Sequence, residues 1–141
     1  MRILGIDYGD ARVGIAITDA LNITVQGLET IQRKESDKNV LKRLDEILEQ
    51  YEVEKIVVGL PLNLKGEKTA RTEVTEKFIH KLKCKYNKIK IETMDERLTT
   101  VEAHKTMNYL NVNKNKKRNI VDTISAVYIL EAYMKKHEKL K

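Results

Sequence analysis

The chain has 141 residues, of which 41% are hydrophobic and 34% are charged. This length suits a single domain over residues 1–141 and leaves no room for a second substantial core. No stretch approaches the ~18 apolar residues of a membrane span, and the chain starts with a strand-like segment rather than a signal peptide, so we expect a cytoplasmic protein. The single Cys84 excludes an intramolecular disulfide, and three scattered histidines give no zinc-type spacing.

The positive charge is concentrated near the C-terminal end. Residues 111–141 hold eight basic and three acidic residues, which is net +5 of the total +6. Within them, residues 113–119 contain no apolar side chain and predict an exposed loop that contacts phosphates. A second basic run lies between Lys81 and Lys90. Since lysine-rich surfaces also serve solubility alone, charge by itself leaves nucleic-acid binding and a solvated surface both open.

Hydrophobic periodicity and turn residues predict the order of elements along the chain. Ser36 is the expected cap of the first helix, and Val74 is expected on the buried face of the second helix together with Phe78. The predicted strands are 2–7, 12–18, 25–31, 55–59 and 89–93, and the predicted helices are 37–51, 67–86, 99–109 and 120–136.

This order indicates an α/β fold with a mixed five-stranded sheet flanked by helices. The first three strands are expected to be antiparallel, and strands one, four and five parallel through helical crossovers. Ligands of such sheets bind beyond the carboxyl ends of the parallel strands. Asp7, the loop 59–66 and the pair Asp95 and Glu96 should therefore converge at one edge.

Carboxylates at three places are candidates for a metal site: Asp7 at the end of strand one, the pair Asp95 and Glu96 at the end of strand five, and Asp122 in the first turn of the last predicted helix. Each has a structural alternative, since Asp7 can close an Asx turn and Asp122 can complement the helix dipole. However, Asp122 has apolar neighbours in sequence, where an unpaired carboxylate is costly to bury and a cation would relieve that cost. Oxygen ligands without nearby His or Cys favour magnesium or manganese.

Other chemistries lack their signatures. The only two serines, Ser36 and Ser125, are not in a nucleophile-elbow sequence. The chain also contains neither a G-x-G-x-x-G fingerprint nor a Walker sequence, which argues against dinucleotide and P-loop sites.

Four motifs occur in order between residues 3 and 130. They are GIDYG with RVGIA at 5–16, VVGLPLN at 57–63, DERLTTVEA at 95–103 and VDTISA at 121–126. Together these motifs resemble the YqgF family, also called RuvX. The resemblance implies an RNase H-like fold and the activity of a Holliday junction resolvase or of a nuclease that matures the 5′ end of pre-16S rRNA.

The resemblance also implies roles for individual residues. Asp7, Glu96 and Asp122 become the catalytic carboxylates and the ligands of magnesium or manganese, in a two-metal site that Asp7 bridges. Asp95 is a weaker fourth candidate. Sequence-independent contacts to the nucleic-acid backbone are expected from basic side chains. These are Arg12, Arg71, Arg97, Lys116, Lys117 and Arg118.

The leading hypothesis is a metal-dependent nuclease that acts on structured nucleic acid, most directly on the 5′ end of pre-16S rRNA. The alternatives are a Holliday junction resolvase, and a non-catalytic binding module of ribosome assembly or transcription. An actin-like or sugar-kinase phosphate site is disfavoured, because those proteins need two such domains to close on ATP. Trimming a single strand needs only a monomer, whereas cutting both strands of a junction needs a homodimer. No motif separates RNA from DNA, because that distinction rests on contacts to the 2′-hydroxyl.

Overall fold

The computed structural model describes residues 1–96 and 114–138, with the side chains of 1–96 and 121–137. Over these ranges the chain forms five strands and three helices. None of the described helices is long and apolar enough to cross a membrane. In chain order the elements are β1 (Arg2–Tyr8), β2 (Arg12–Thr18), β3 (Val25–Gln32), α1 (Lys38–Gln50), β4 (Val53–Leu60), α2 (Ala70–Lys85), β5 (Lys90–Asp95) and α3 (Lys114–Glu138).

The strands form one mixed sheet in the order β3-β2-β1-β4-β5. β1 pairs antiparallel with β2, and β2 pairs antiparallel with β3. β4 lies parallel between β1 and β5. The predicted sheet is therefore confirmed, and the buried run Ile56 to Val58 in β4 has the apolar sequence typical of a strand covered on both faces.

Helices cover both faces of the sheet. α1 and α2 pack on one face, where Leu44 and Phe78 join strand residues such as Ile6 in the larger core. α3 packs on the other face, where Ile129 contacts a second core that includes Val57. Alternation along the strands divides their side chains between the two cores.

Three sequence predictions about helices need correction. α3 begins at Lys114, so residues 114–119 are helical and not a loop, and Asp122 lies in the third turn rather than the first. Asp122 is therefore too far from the helix start to act on its dipole. Val74 is 43% exposed, because α2 buries the face that carries Thr75, Phe78 and Leu82. The predicted helix 99–109 lies outside the described residues.

Candidate active site

Two carboxylates meet at the carboxyl edge of the parallel strands. Asp7 is the penultimate residue of β1, and Glu96 directly follows β5. Burial raises the pKa of Asp7 well above its ordinary value, and a hydrogen bond to the Glu96 side chain and the negative charge of Glu96 raise it further. The predicted convergence of Asp7 and Glu96 is therefore confirmed.

The end of β4 holds Glu96 in place. The Glu96 backbone N–H donates to the carbonyl oxygen of Leu60 at 3.2 Å. Gly59 leaves room beside it, because a Cβ at residue 59 would lie 3.3 Å from Glu96 Cδ and would overlap the Ile129 side chain. A residue larger than glycine at position 59 would therefore displace either the Glu96 carboxylate or α3.

The loop between β4 and α2 brings Arg71 to the same edge. Asn63 accepts hydrogen bonds from the backbone N–H groups of Lys65 and Glu67 at 3.0 and 2.9 Å, which closes the loop. Thr69 caps α2 in a reciprocal pair with Thr72. Arg71 follows in the first turn, and its positive charge lowers the pKa of Asp7 against the larger effects of burial and Glu96.

Asp122 reaches the site from the opposite face of the sheet and is paired with Arg12. Arg12 Nε donates to Asp122 Oδ2 at 2.6 Å, and both side chains are half-buried. Burial raises the pKa of Asp122, the hydrogen bond and charge of Arg12 oppose that rise, and the charge of Asp7 adds to it. The net shift of the Asp122 pKa is upward, and the part that Asp7 contributes indicates that the two carboxylates lie within electrostatic reach of each other.

A glycine in β2 allows α3 to approach this closely. A Cβ at Gly14 would overlap the backbone carbonyl of Asp122, so the helix backbone lies directly on the strand at this point. One residue further along α3, the hydroxyl groups of Thr123 and Thr30 are hydrogen-bonded at 2.6 Å. Together these contacts set the position of Asp122 over the sheet.

The donor atoms of this site fit a hard divalent cation. Asp7 and Glu96 provide only oxygen, and two adjacent carboxylates repel each other until a cation or a shared proton intervenes. Within the described side chains, those of residues 1–96 and 121–137, no three from His, Cys, Asp or Glu lie close enough together to hold a metal ion. The third candidate, Asp122, has its carboxylate engaged by Arg12.

Comparison with known proteins gives the family. Residues 1–136 match the family model described as RuvX, Holliday junction resolvase. The chain belongs to the RuvX family. It is 53% identical over 134 residues to a protein of Ruminiclostridium cellulolyticum, a match that covers 95% of this chain and 94% of that protein, whose name is "Putative pre-16S rRNA nuclease". A protein of the same name from Acetivibrio thermocellus is 48% identical, with 95% of each chain covered.

Solved structures share the RNase H-like fold with this RuvX chain. The Holliday junction resolvase of fowlpox virus superposes with a TM-score of 0.61 at 16% identity and covers 96% of this chain and 99% of its own. Thermus thermophilus RuvC in complex with a Holliday junction substrate gives a TM-score of 0.56 at 12% identity, with 95% and 96% covered. Both the predicted fold class and the family resemblance are therefore confirmed.

The predicted nucleic-acid contacts are distributed unevenly around the RuvX site. Arg12 and Arg71 lie beside its carboxylates, and Arg71 Nη1 is also 3.7 Å from Asp10 Oδ2. Lys116, Lys117 and Arg118 belong to the first two turns of α3, where the structure describes the backbone only. Arg97 lies outside the described residues.

One polar cluster beside the RuvX site was missed by the sequence analysis. Asp37, whose side chain is 5% exposed, accepts hydrogen bonds from the Tyr8 hydroxyl at 2.6 Å, Arg33 Nε at 2.7 Å and Lys81 Nζ at 2.7 Å. The Tyr8 ring stacks on Phe78 at 4.1 Å. This cluster ties the residue next to Asp7 to both α1 and α2. The sequence alone identifies Asp37 only as a residue near the start of a helix. Its hydrogen-bond partners lie up to 44 positions away in the chain, so no local pattern indicates the cluster.

Proposed function

We propose that this RuvX chain is a metal-dependent nuclease whose substrate is the 5′ end of pre-16S rRNA. One observation carries the proposal, namely that Asp7 and Glu96 form a hydrogen-bonded carboxylate pair at the sheet edge with the charge of Arg71 acting on it. The names of the two bacterial relatives support RNA as the substrate. Processing of ribosomal RNA in bacteria also agrees with the expected cytoplasmic location.

Asp7 and Glu96 are the residues that would hold the divalent ion, because they are hard oxygen donors whose repulsion a cation removes. When bound, magnesium or manganese supplies Lewis acidity that lowers the pKa of the attacking water and stabilises charge on the leaving oxygen. Hydrolysis of this kind leaves 5′-phosphate and 3′-hydroxyl ends.

The two arginines are proposed to bind the phosphate backbone. The Arg71 side chain is 52% exposed, and its charge already acts on both Asp7 and Asp122. Arg12 is engaged by Asp122, and a phosphate offers its guanidinium an equivalent partner. Binding of substrate to Arg12 would release Asp122 to serve as the third carboxylate beside Asp7 and Glu96.

The test is a cleavage assay with two substrates. The purified chain is incubated with 5′-labelled precursor 16S rRNA and with a four-way DNA junction, each in magnesium, manganese or EDTA. We expect the RNA to be cut in the presence of metal and to stay intact in EDTA. Binding of both substrates without cleavage in either metal would contradict the proposal and favour a non-catalytic module.

A Holliday junction resolvase is the second candidate, because the matching family model is described by that activity. Symmetric cleavage of a junction needs two active sites related by a twofold axis. This candidate predicts that the junction is cut in preference to the RNA and that the active species sediments as a dimer. Cleavage of the RNA by a monomer would show that the activity does not need two active sites related by a twofold axis, and would contradict this second candidate.

A further inference from the structure

A groove of about 390 Å³ lies along the outer edge of β5. β5 is the last strand in the sheet order, so within the described ranges no neighbouring strand covers its outer edge. The end of α2 contributes Lys83 to the groove from one face of the sheet. The end of α3 contributes Tyr133, Lys136 and His137 from the other face. The groove therefore follows the sheet edge and is separate from the carboxylates described above.

The groove has a net positive charge. Its single acidic lining residue is Glu92, whose carboxylate accepts a short hydrogen bond from Tyr133 and lies 3.0 Å from Lys90 Nζ and 3.8 Å from Lys55 Nζ. Burial acts to raise the pKa of Glu92, but these donors outweigh it and lower the pKa, so the carboxylate is ionised and already neutralised. Lys83, by contrast, has no ion-pair partner among the described residues.

Lys136 provides a second ammonium group that could bind an anionic ligand. It is exposed near the end of α3 and has no partner among the described side chains. Two unpaired ammonium groups, Lys83 and Lys136, therefore approach the groove from opposite faces of the sheet. An anionic ligand between them would be attracted by both ammonium groups, and no existing ion pair would have to break.

An aromatic surface accompanies the charge. The rings of Tyr133 and His137 lie 4.1 Å apart with their planes 34° from each other. Tyr133 is 3% exposed, and its hydroxyl accepts a hydrogen bond from Lys55 Nζ at 2.7 Å. The Tyr133 ring is therefore fixed in place, and the half-buried His137 ring packs against it. Aromatic rings on a basic surface are typical of sites where the bases of single-stranded nucleic acid stack.

The groove begins close to the proposed site of cleavage. Its strand residues 91–94 immediately precede Asp95 and Glu96. At about 3.3 Å per strand residue, Thr93 is roughly 10 Å along the strand from Glu96. A volume near 390 Å³ is at the lower end of the ~300–1,000 Å³ range of small-ligand pockets, which suits a nucleotide rather than a duplex.

We propose that this β5 groove binds the single-stranded segment of the substrate that adjoins the cleaved bond. Lys83 and Lys136 would contact its phosphates, and His137 would stack on a base. The inference rests on the proposed nuclease function and narrows its substrate to nucleic acid with an unpaired extension. A fully paired four-way junction has no such strand to offer.

Binding is measured by fluorescence anisotropy in EDTA, so that cleavage does not contribute. The probes are a labelled RNA hairpin with a 5′ single-stranded extension and the same hairpin without it. The groove variant is Lys83→Ala with Lys136→Ala. The control is Lys38→Ala with Lys42→Ala, which removes the same charge from exposed positions of α1.

We expect the groove variant to bind the extended hairpin about 10-fold more weakly at 0.1 M salt and to reduce the salt slope by about 1.4, which corresponds to two single-strand phosphate contacts. Binding of the blunt hairpin should change no more than in the control. Equal losses in the groove and control variants, or no loss in either, would overturn the inference.

Stacking is tested separately with His137→Ala. We expect a loss of about fivefold or more with the extended hairpin, and no loss when the extension is abasic. An equal loss with both probes would remove the stacking role. Because these measurements need no turnover, failure of wild-type cleavage would refute the proposed function without deciding the groove. Melting temperatures within a few degrees of wild type would verify that the variants fold.

Discussion

At the scale of single residues, Asp7 combines burial with a second carboxylate in contact. Asp7→Asn keeps the shape of the side chain but removes the charge that would bind a cation. We therefore expect cleavage to fall by at least 100-fold, and the rise in melting temperature on adding magnesium or manganese to disappear. Nuclease assays and thermal unfolding with and without metal measure the two effects.

The matched control is Glu49→Gln, an exposed position of α1. It should retain both the activity and the metal-induced rise in melting temperature. Full activity in Asp7→Asn would contradict the proposed metal site directly.

Asp37 provides a prediction about acid stability. Burial would raise its pKa, but hydrogen bonds from Arg33, Lys81 and Tyr8 outweigh burial and lower it below its ordinary value. A lowered carboxyl pKa stabilises the folded chain above the unfolded pKa of about 4, and this stabilisation is lost as the pH falls through the folded pKa. We expect Asp37→Asn to reduce the free energy of unfolding by about 2 kcal/mol at pH 7. Below about pH 4 the difference from wild type should shrink.

Urea unfolding at pH 7 and pH 3 tests this expectation. Asp45 is a suitable comparison, because hydrogen bonds from Tyr86 and Lys85 also lower its pKa, but its side chain is 43% exposed. Asp45→Asn should lose less stability at pH 7, since water screens its interactions. An equal loss for Asp37→Asn at both pH values would show that the acceptor oxygen replaced by the amide NH2, rather than the charge, accounts for the role of Asp37.

At the scale of elements, the close contact between β2 and α3 decides where Asp122 lies. A Cβ at Gly14 would overlap the backbone of α3 at Asp122, and a helix backbone cannot relieve the overlap by a change of rotamer as a side chain can. We expect Gly14→Ala to destabilise the fold by about 1–3 kcal/mol and to reduce cleavage through displacement of Asp122. Chemical unfolding and the nuclease assay measure the two changes.

Gly27 offers a graded comparison in the neighbouring strand. A Cβ there would overlap the Thr123 side chain and touch the Val127 side chain, and side chains, unlike a backbone, can change rotamer. Gly27→Ala should therefore cost less stability and leave more activity than Gly14→Ala. The reverse order would indicate that the β2 and α3 backbones separate easily.

At the scale of the whole molecule, the C-terminal charge predicts how binding depends on salt. Residues 111–141 carry net +5, and Arg118 precedes Asp122 by four residues, about one helical turn. Replacing Lys116, Lys117 and Arg118 by Ala should weaken binding to unrelated duplex sequences about equally and reduce the salt slope by up to about 2.7. Salt titrations of binding measure both.

The control for this variant replaces Lys34, Lys38 and Lys42, three exposed lysines at and before α1, by Ala. It removes the same charge from the opposite part of the molecule. If both triple variants showed the same slope, net charge rather than the start of α3 would account for binding.

Local patterns were sufficient to predict the sheet. Alternating and continuous apolar runs mark strands because strand side chains alternate between two faces, and the short connections between β1, β2 and β3 leave antiparallel pairing as the simple solution. The boundary of α3 was missed because residues 113–119 have no apolar periodicity. Their helical state follows from continuation of a helix that is packed further along, at Ala126, Ile129 and Leu130.

The sequence by itself determined the fold class, the family and the meeting of Asp7 with Glu96, since strand order brings the carboxyl ends of β1 and β5 to one edge. Only the tertiary structure decided that Asp122 is paired with Arg12, 110 positions away, and that Asp37 joins three donors from three parts of the chain. The reason is physical. Local propensity depends on near neighbours, whereas side-chain pairing depends on how close two backbones approach, and glycines such as Gly14 set that distance.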